Sequence, residues 1–162
     1  MKLHAASADD TRDIGRRLAG QVRAGDLIML AGPLGAGKTT FVQGLADGLG
    51  VSGRVTSPTF VISHVHRGDP DLVHVDAYRL DSLDDVDALD LDTSLEDSVT
   101  VVEWGRGKTD SLSADRLEID IERPIGSQVG DNPDDLMEDL PRTITLRATG
   151  PRSSAIIEAL SS

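Results

Sequence analysis

The sequence predicts an α/β domain: a mainly parallel central sheet, helices on both faces and antiparallel additions. Three observations carry that reading. Leu27-Ile28-Met29-Leu30 and Val99-Thr100-Val101-Val102 are short apolar runs of the kind that parallel strands form when both their faces are buried. Such runs alternate with stretches whose apolar residues recur at helical spacing. Between the first run and the helix after it lies Gly32-Pro33-Leu34-Gly35-Ala36-Gly37-Lys38-Thr39, a glycine-rich connection that fits G-x-x-x-x-G-K-[ST].

The elements follow in order. Lys2 to Ala6 reads as a short strand. Asp9 to Val22 reads as an amphipathic helix with Ile14, Leu18 and Val22 on one face and Ser7 as its cap. Residues 27–31 form the next strand. Residues 38–49 form a helix on which Phe41, Val42, Leu45, Ala46 and Leu49 share a face, and Gly50 is its stop. The β-rich run from Thr59 to His66, the turn Arg67 to Asp71 and the run Leu72 to Asp76 make a hairpin. The Asp-rich stretch 81–97 suggests short helical turns. Val99 to Glu103 is a buried strand. Arg116 to Glu122 and Thr143 to Arg147 alternate as strands, and Ser153 to Leu160 closes the chain as a helix. Pro124 to Pro141 breaks the pattern and reads as an acidic surface loop inserted into a single domain of 162 residues. A chain of this length buries roughly 70% of its unfolded surface, enough for its own core.

Composition narrows the chemistry. There is no cysteine, so disulfides and thiolate-bound metals are excluded. Aromatic residues are 2% of the chain, so Leu, Val, Ile and Ala must build the core. No stretch is long and apolar enough to span a bilayer, and no secretory pattern opens the sequence, so a cytoplasmic location is expected. The net charge of −12 opposes autonomous binding to a phosphate backbone, although the same charge also serves solubility.

The glycine-rich loop carries the strongest chemical signal. Phosphate oxygens need several backbone N–H groups aimed into one concavity, and glycine permits the turns and the close approach. The strand–loop–helix order is the context this P-loop motif requires, and it points to the P-loop NTPase fold. Lys38 would reach the β- and γ-phosphates, Thr39 would offer its hydroxyl to Mg²⁺, and the helix dipole would add positive potential. Phosphoryl chemistry also needs carboxylates. Asp76 and Glu103 each close an apolar strand, where ligands gather in open α/β sheets. An Asp in that place reads equally as a turn initiator, whereas glutamate is a poor turn residue. Thr56-Ser57-Pro58-Thr59-Phe60 reads as a proline turn more readily than as a switch. His64, His66 and His74 are too weakly patterned to read as a metal site.

Taken together, Leu34–Thr40, Thr56–Phe60, His74-Val75-Asp76-Ala77-Tyr78-Arg79-Leu80 and Val101-Val102-Glu103-Trp104-Gly105 resemble, in this order, the TsaE (YjeE) family of small bacterial ATPases. The resemblance covers about residues 1 to 123, and more weakly 142–160. It implies an ATPase needed for threonylcarbamoyl-adenosine (t⁶A) at position 37 of tRNAs, acting with the protein partners TsaD and TsaB and meeting tRNA only through them. Carried onto this chain, Gly35, Ala36, Gly37, Lys38, Thr39 and Thr40 would bind the phosphates of ATP. Thr39 and Glu103 would hold Mg²⁺, and Asp76 would be the carboxylate needed for hydrolysis. Ala8, in the segment Ser7–Thr11, would lie near the adenine. Thr59 and Trp104 match family positions. Arg106 departs from the family, which often carries an acidic residue there, and the 124–141 segment is long. A small-molecule kinase is the alternative, but no arginine-bearing lid cluster is visible. The guanine signature of a GTPase is absent.

Overall fold

The computed structural model describes residues 1–33, 36–51, 63–76, 96–103, 114–122 and 141–161. The elements within them are β1 (Lys2–Ala5), α1 (Ala8–Ala19), β2 (Leu27–Ala31), α2 (Lys38–Gly48), β3 (Ser63–His66), β4 (Asp71–Asp76), β5 (Ser98–Glu103), β6 (Leu117–Glu122), β7 (Arg142–Ala148) and α3 (Pro151–Ser161). Among the described residues the strands form one sheet in the order β1-β7-β6-β2-β5-β4-β3. The central block β6-β2-β5-β4 is parallel, and β7 and β3 join antiparallel to β6 and β4. This is the α/β architecture that the sequence predicts, with the glycine-rich loop leaving the central strand.

Period-2 burial sets the two faces of the sheet. Ile28 and Leu30, Val99 and Val101, Leu117, Ile119 and Ile121, and Ile144 and Leu146 join Ile14, Leu18, Phe41, Val42, Leu45, Ile156 and Leu160 in one apolar cluster. All three described helices therefore pack on this face. On the other face Leu27, Met29, Val73, Val75 and Val102 are buried as well, as a doubly covered parallel sheet requires. The helices expected over that face, the 81–95 stretch, the start of the hairpin at 59–62 and nearly all of the 124–141 insertion lie outside the described residues.

Local chemistry explains the helix ends. Ser7 is the N-cap of α1: its Oγ accepts from Asp10 N–H at 3.2 Å, and Asp10 Oδ2 accepts from Ala6 N–H at 3.0 Å. Asp9 and Asp10 in the first turn and Arg16 and Arg17 in the last complement the dipole. The helix stops at Ala19 rather than at Val22, because Gly20 takes the C-cap position and the chain closes with Gln21 and Val22 amides bonded back to Leu18 O. Val22 is buried all the same. Gly50 ends α2 as expected. At φ +73 it donates to Asp47 O while Val51 donates to Ala46 O, a pair of bonds that closes the helix.

α1 and α2 touch through glycine. A Cβ on Gly44 would stand 2.1 Å from Arg12 O, and one on Gly15 would stand 2.4 Å from Phe41 O. The backbones thus meet with no side chain between them. That contact brings the N-terminal segment of the chain against the helix that follows the glycine-rich loop.

Candidate functional site

The site lies where β2 ends and α2 begins. Gly32 passes so close to β6 that a Cβ there would stand 2.5 Å from Ile121 O. Ala36 N–H bonds Pro33 O at 3.0 Å, which closes the described part of the loop on itself. Gly37 then takes φ +106, a left-handed conformation, as the N-cap of α2. It has no side chain to cap the helix, and the first turn of α2 holds no acidic residue. The contrast with the other two helices is plain. The α1 entry is served by Ser7 and Asp10, and Asp115 accepts from Arg152 and Ser153 N–H at the start of α3, at 2.6 and 2.9 Å. α2 opens instead on backbone donors and a positive dipole end, the arrangement that suits an anion.

Among the described residues, two cations reach this loop. Lys38 Nζ donates to Gly32 O at 2.5 Å and to Pro33 O at 3.3 Å, so its ammonium lies folded over the loop. Arg142, buried at the start of β7, donates Nε–H to Ala36 O at 2.8 Å. A Cβ on Gly37 would stand 3.9 Å from both Arg142 Nε and Thr11 Cγ2. Thus Thr11 and Arg142, from opposite ends of the chain, flank the glycine-rich loop. Thr39 and Thr40 sit half-buried in the first turn of α2.

The carboxylates come from the neighbouring strands. Glu103, the last residue of β5, is registered between Leu30 of β2 and Asp76 of β4. Leu30 lies two residues before Gly32, so the Glu103 position stands one strand, and the Asp76 position two strands, from the end of β2 that leads into the loop, at matching strand ends. Glu103 is 4% exposed. Its Oε2 lies 3.1 Å from Nε2 of His74, which is fully buried. Asp76 contributes its strand position; its side chain, with Leu34, Gly35, Thr56–Phe60, Trp104 and Arg106, lies outside the described residues. Ala8 opens α1, three residues before Thr11.

The histidines of the hairpin share one face. His64 and His66 meet edge to face with ring centroids 5.8 Å apart, and His64 pairs across the strands with His74. Burial lowers the pKa of His66, and His74 and His64 lower it further. Sequence reasoning did not connect His74 with Glu103, nor Arg142 with the loop. The first had a signal: His74 stands two residues before Asp76, so the two share a strand face. The second had none, because Arg142 and Ala36 are 106 residues apart.

This fold and the loop at the end of its central strand define a P-loop NTPase-type α/β protein. Comparison with known proteins narrows the class. The family model described as "Threonylcarbamoyl adenosine biosynthesis protein TsaE" matches residues 5–128, and the chain belongs to the TsaE family. It is 63% identical over 119 residues to the tRNA threonylcarbamoyladenosine biosynthesis protein TsaE of Streptomyces coelicolor, covering 71% of this chain and 80% of that protein. The protein of the same name from Bacillus subtilis is 36% identical over 163 residues, covering 99% of this chain and 94% of its own length. A crystal structure of Bacillus subtilis YdiB superposes with a TM-score of 0.76 at 32% identity, covering 99% of this chain and 93% of that one. Among the described residues no helix is long and apolar enough to cross a membrane.

Proposed function

We propose that this chain binds ATP with Mg²⁺ at the β2–α2 loop and hydrolyses it slowly, and that the ATP cycle drives a cytoplasmic complex with TsaD and TsaB that forms t⁶A on tRNA. Membership of the TsaE family supports the pathway. The observation that carries the nucleotide reading is the entry of α2: a left-handed Gly37 with no capping side chain and no first-turn acid, flanked by Lys38 and Arg142. A triphosphate supplies the negative charge such an entry favours.

The roles follow from chemistry. Backbone N–H groups of Gly35, Gly37, Lys38, Thr39 and Thr40 bind phosphate oxygens, and Ala36 N–H exchanges its bond to Pro33 O for one of them. Lys38 exchanges its bonds to Gly32 O and Pro33 O for the β- and γ-phosphates. The Thr39 hydroxyl and the Glu103 carboxylate are hard oxygen donors, the set that suits Mg²⁺. Bound there, the cation neutralises charge on the phosphates. Asp76, beside Glu103 in the register, orients the attacking water. The Ser7–Thr11 segment, whose Thr11 approaches Gly37, borders the nucleoside, with Ala8 towards the adenine. With a net charge of −12, the chain reaches tRNA through its protein partners.

Turnover and t⁶A formation in a reconstituted mixture with TsaD, TsaB and tRNA test this reading. Both should fall at least about tenfold with Asp76→Asn, while ATP binding stays close to that of the parent protein, because orienting water matters mainly in the transition state. Wild-type turnover indifferent to the partners, or an Asp76→Asn protein with normal turnover, would contradict it.

A further inference from the structure

Glu103 is a carboxylate that the fold has taken out of water, and its side-chain partner among the described residues is an imidazole rather than an arginine or lysine. The contact is diagonal: His74 is registered with Val101, and its ring reaches along β5 to Glu103. An ionised carboxylate only accepts, so the 3.1 Å bond needs the proton on Nε2. In a neutral imidazole that leaves Nδ1 as the acceptor nitrogen, and among the described residues the buried Nδ1 has no hydrogen-bond partner. Core histidines ordinarily satisfy both nitrogens. Among the described residues this one satisfies only Nε2, and commits it to a single carboxylate oxygen. Side chains that orient a ligating carboxylate are bonded to it in this way.

We propose that His74 is a positioning residue for Glu103. It donates Nε2–H to Oε2, fixes the carboxylate in one rotamer at the end of β5, and leaves Oε1 for a divalent cation or one of its waters. The proposal rests on the reading of Glu103 as the metal-side carboxylate. The donor set fits, since a glutamate oxygen and the Thr39 hydroxyl are both hard donors. His74 itself does not touch nucleotide or metal; it acts through Glu103.

The test is Mn²⁺ affinity of the ADP-loaded protein, read by electron paramagnetic resonance, together with ADP affinity measured without metal. His74→Leu should weaken Mn²⁺ binding about tenfold or more and leave metal-free ADP binding within about twofold. His74→Gln, whose amide N–H can still reach Oε2, should recover Mn²⁺ binding to within about threefold of the parent. In a Glu103→Gln background, His74→Leu should cause no further loss, a result that a merely structural role would not give. If His74→Leu fails to fold, His74→Asn replaces it, because its amide is too short to reach Glu103. A folded Leu or Asn variant with parental Mn²⁺ affinity, or a loss that persists in the Glu103→Gln background, would overturn the proposal. A parent protein that binds neither ADP nor Mn²⁺ would overturn the nucleotide reading on which it stands, and the metal-free ADP measurement tells the two failures apart.

Discussion

Replacing Arg142 by methionine tests how the glycine-rich loop is held. Arg142 stands at the start of β7, and its Nε–H meets Ala36 O at 2.8 Å in a place where Ala36 is fully buried and Arg142 is 9% exposed. A hydrogen bond from a charged donor contributes about 1.5–3 kcal/mol, and the buried carbonyl left behind has no water to turn to. Methionine keeps most of the apolar stem, so packing loss is small and the change reads the polar contacts of the guanidinium, the bond to Ala36 O among them. The variant should lose about 1.5–3 kcal/mol of stability, which lowers Tm by roughly 3–12 °C in a chain of this size. Because Ala36 belongs to the loop proposed to bind phosphate, nucleotide affinity should fall as well, by about fivefold or more, the loop no longer being held in its binding shape. Calorimetric unfolding gives the first quantity and equilibrium ATP titration the second. Arg142→Lys should rescue neither fully, since an ammonium presents its donors differently from a guanidinium. A methionine variant with parental Tm and parental ATP affinity would refute the claim that this bond holds the loop.

Two further predictions concern packing and pH. Gly44→Ala places a methyl 2.1 Å from Arg12 O, which forces α1 and α2 apart, and should cost about 1–3 kcal/mol in denaturant unfolding; a variant of unchanged stability would mean the helices do not meet there. His66 has a folded pKa below its ordinary 6.5, mainly through burial. The unfolded chain therefore binds the extra proton first, stability falls as pH drops below about 6.5 towards the folded value, and His66→Gln should flatten that slope in urea titrations across pH 5–7.

The sequence revealed most of the scaffold because its signals were local. The apolar run 27–30 and the glycine-rich loop marked the central strand and its exit, and Gly50 marked the end of α2 through the backbone conformation it takes there. Ser7 was recognisable as a cap because a hydroxyl just before an amphipathic run has few other uses. Helical periodicity carried α1 too far, to Val22, since Val22 keeps its buried position even after the helix has closed at Gly20. The candidate site was legible only as separate pieces. Asp76 and Glu103 could each be seen to end a strand, but only the parallel register of β4 with β5 sets them side by side. The bond from Arg142 to Ala36, the diagonal reach of His74 and the glycine contact between α1 and α2 join residues far apart in the chain. Periodicity shows which face a residue occupies and says nothing of what it meets across the sheet.

The central claim is that the β2–α2 loop is a nucleotide phosphate site. Isothermal titration of ATP with Mg²⁺ into the parent protein and into Lys38→Ala tests it most directly. The parent should show saturable one-site binding and the variant a loss of about tenfold or more, the equivalent of a charge-assisted contact of about 1.5–3 kcal/mol. No binding by the parent, or equal affinity for the two proteins, would contradict it.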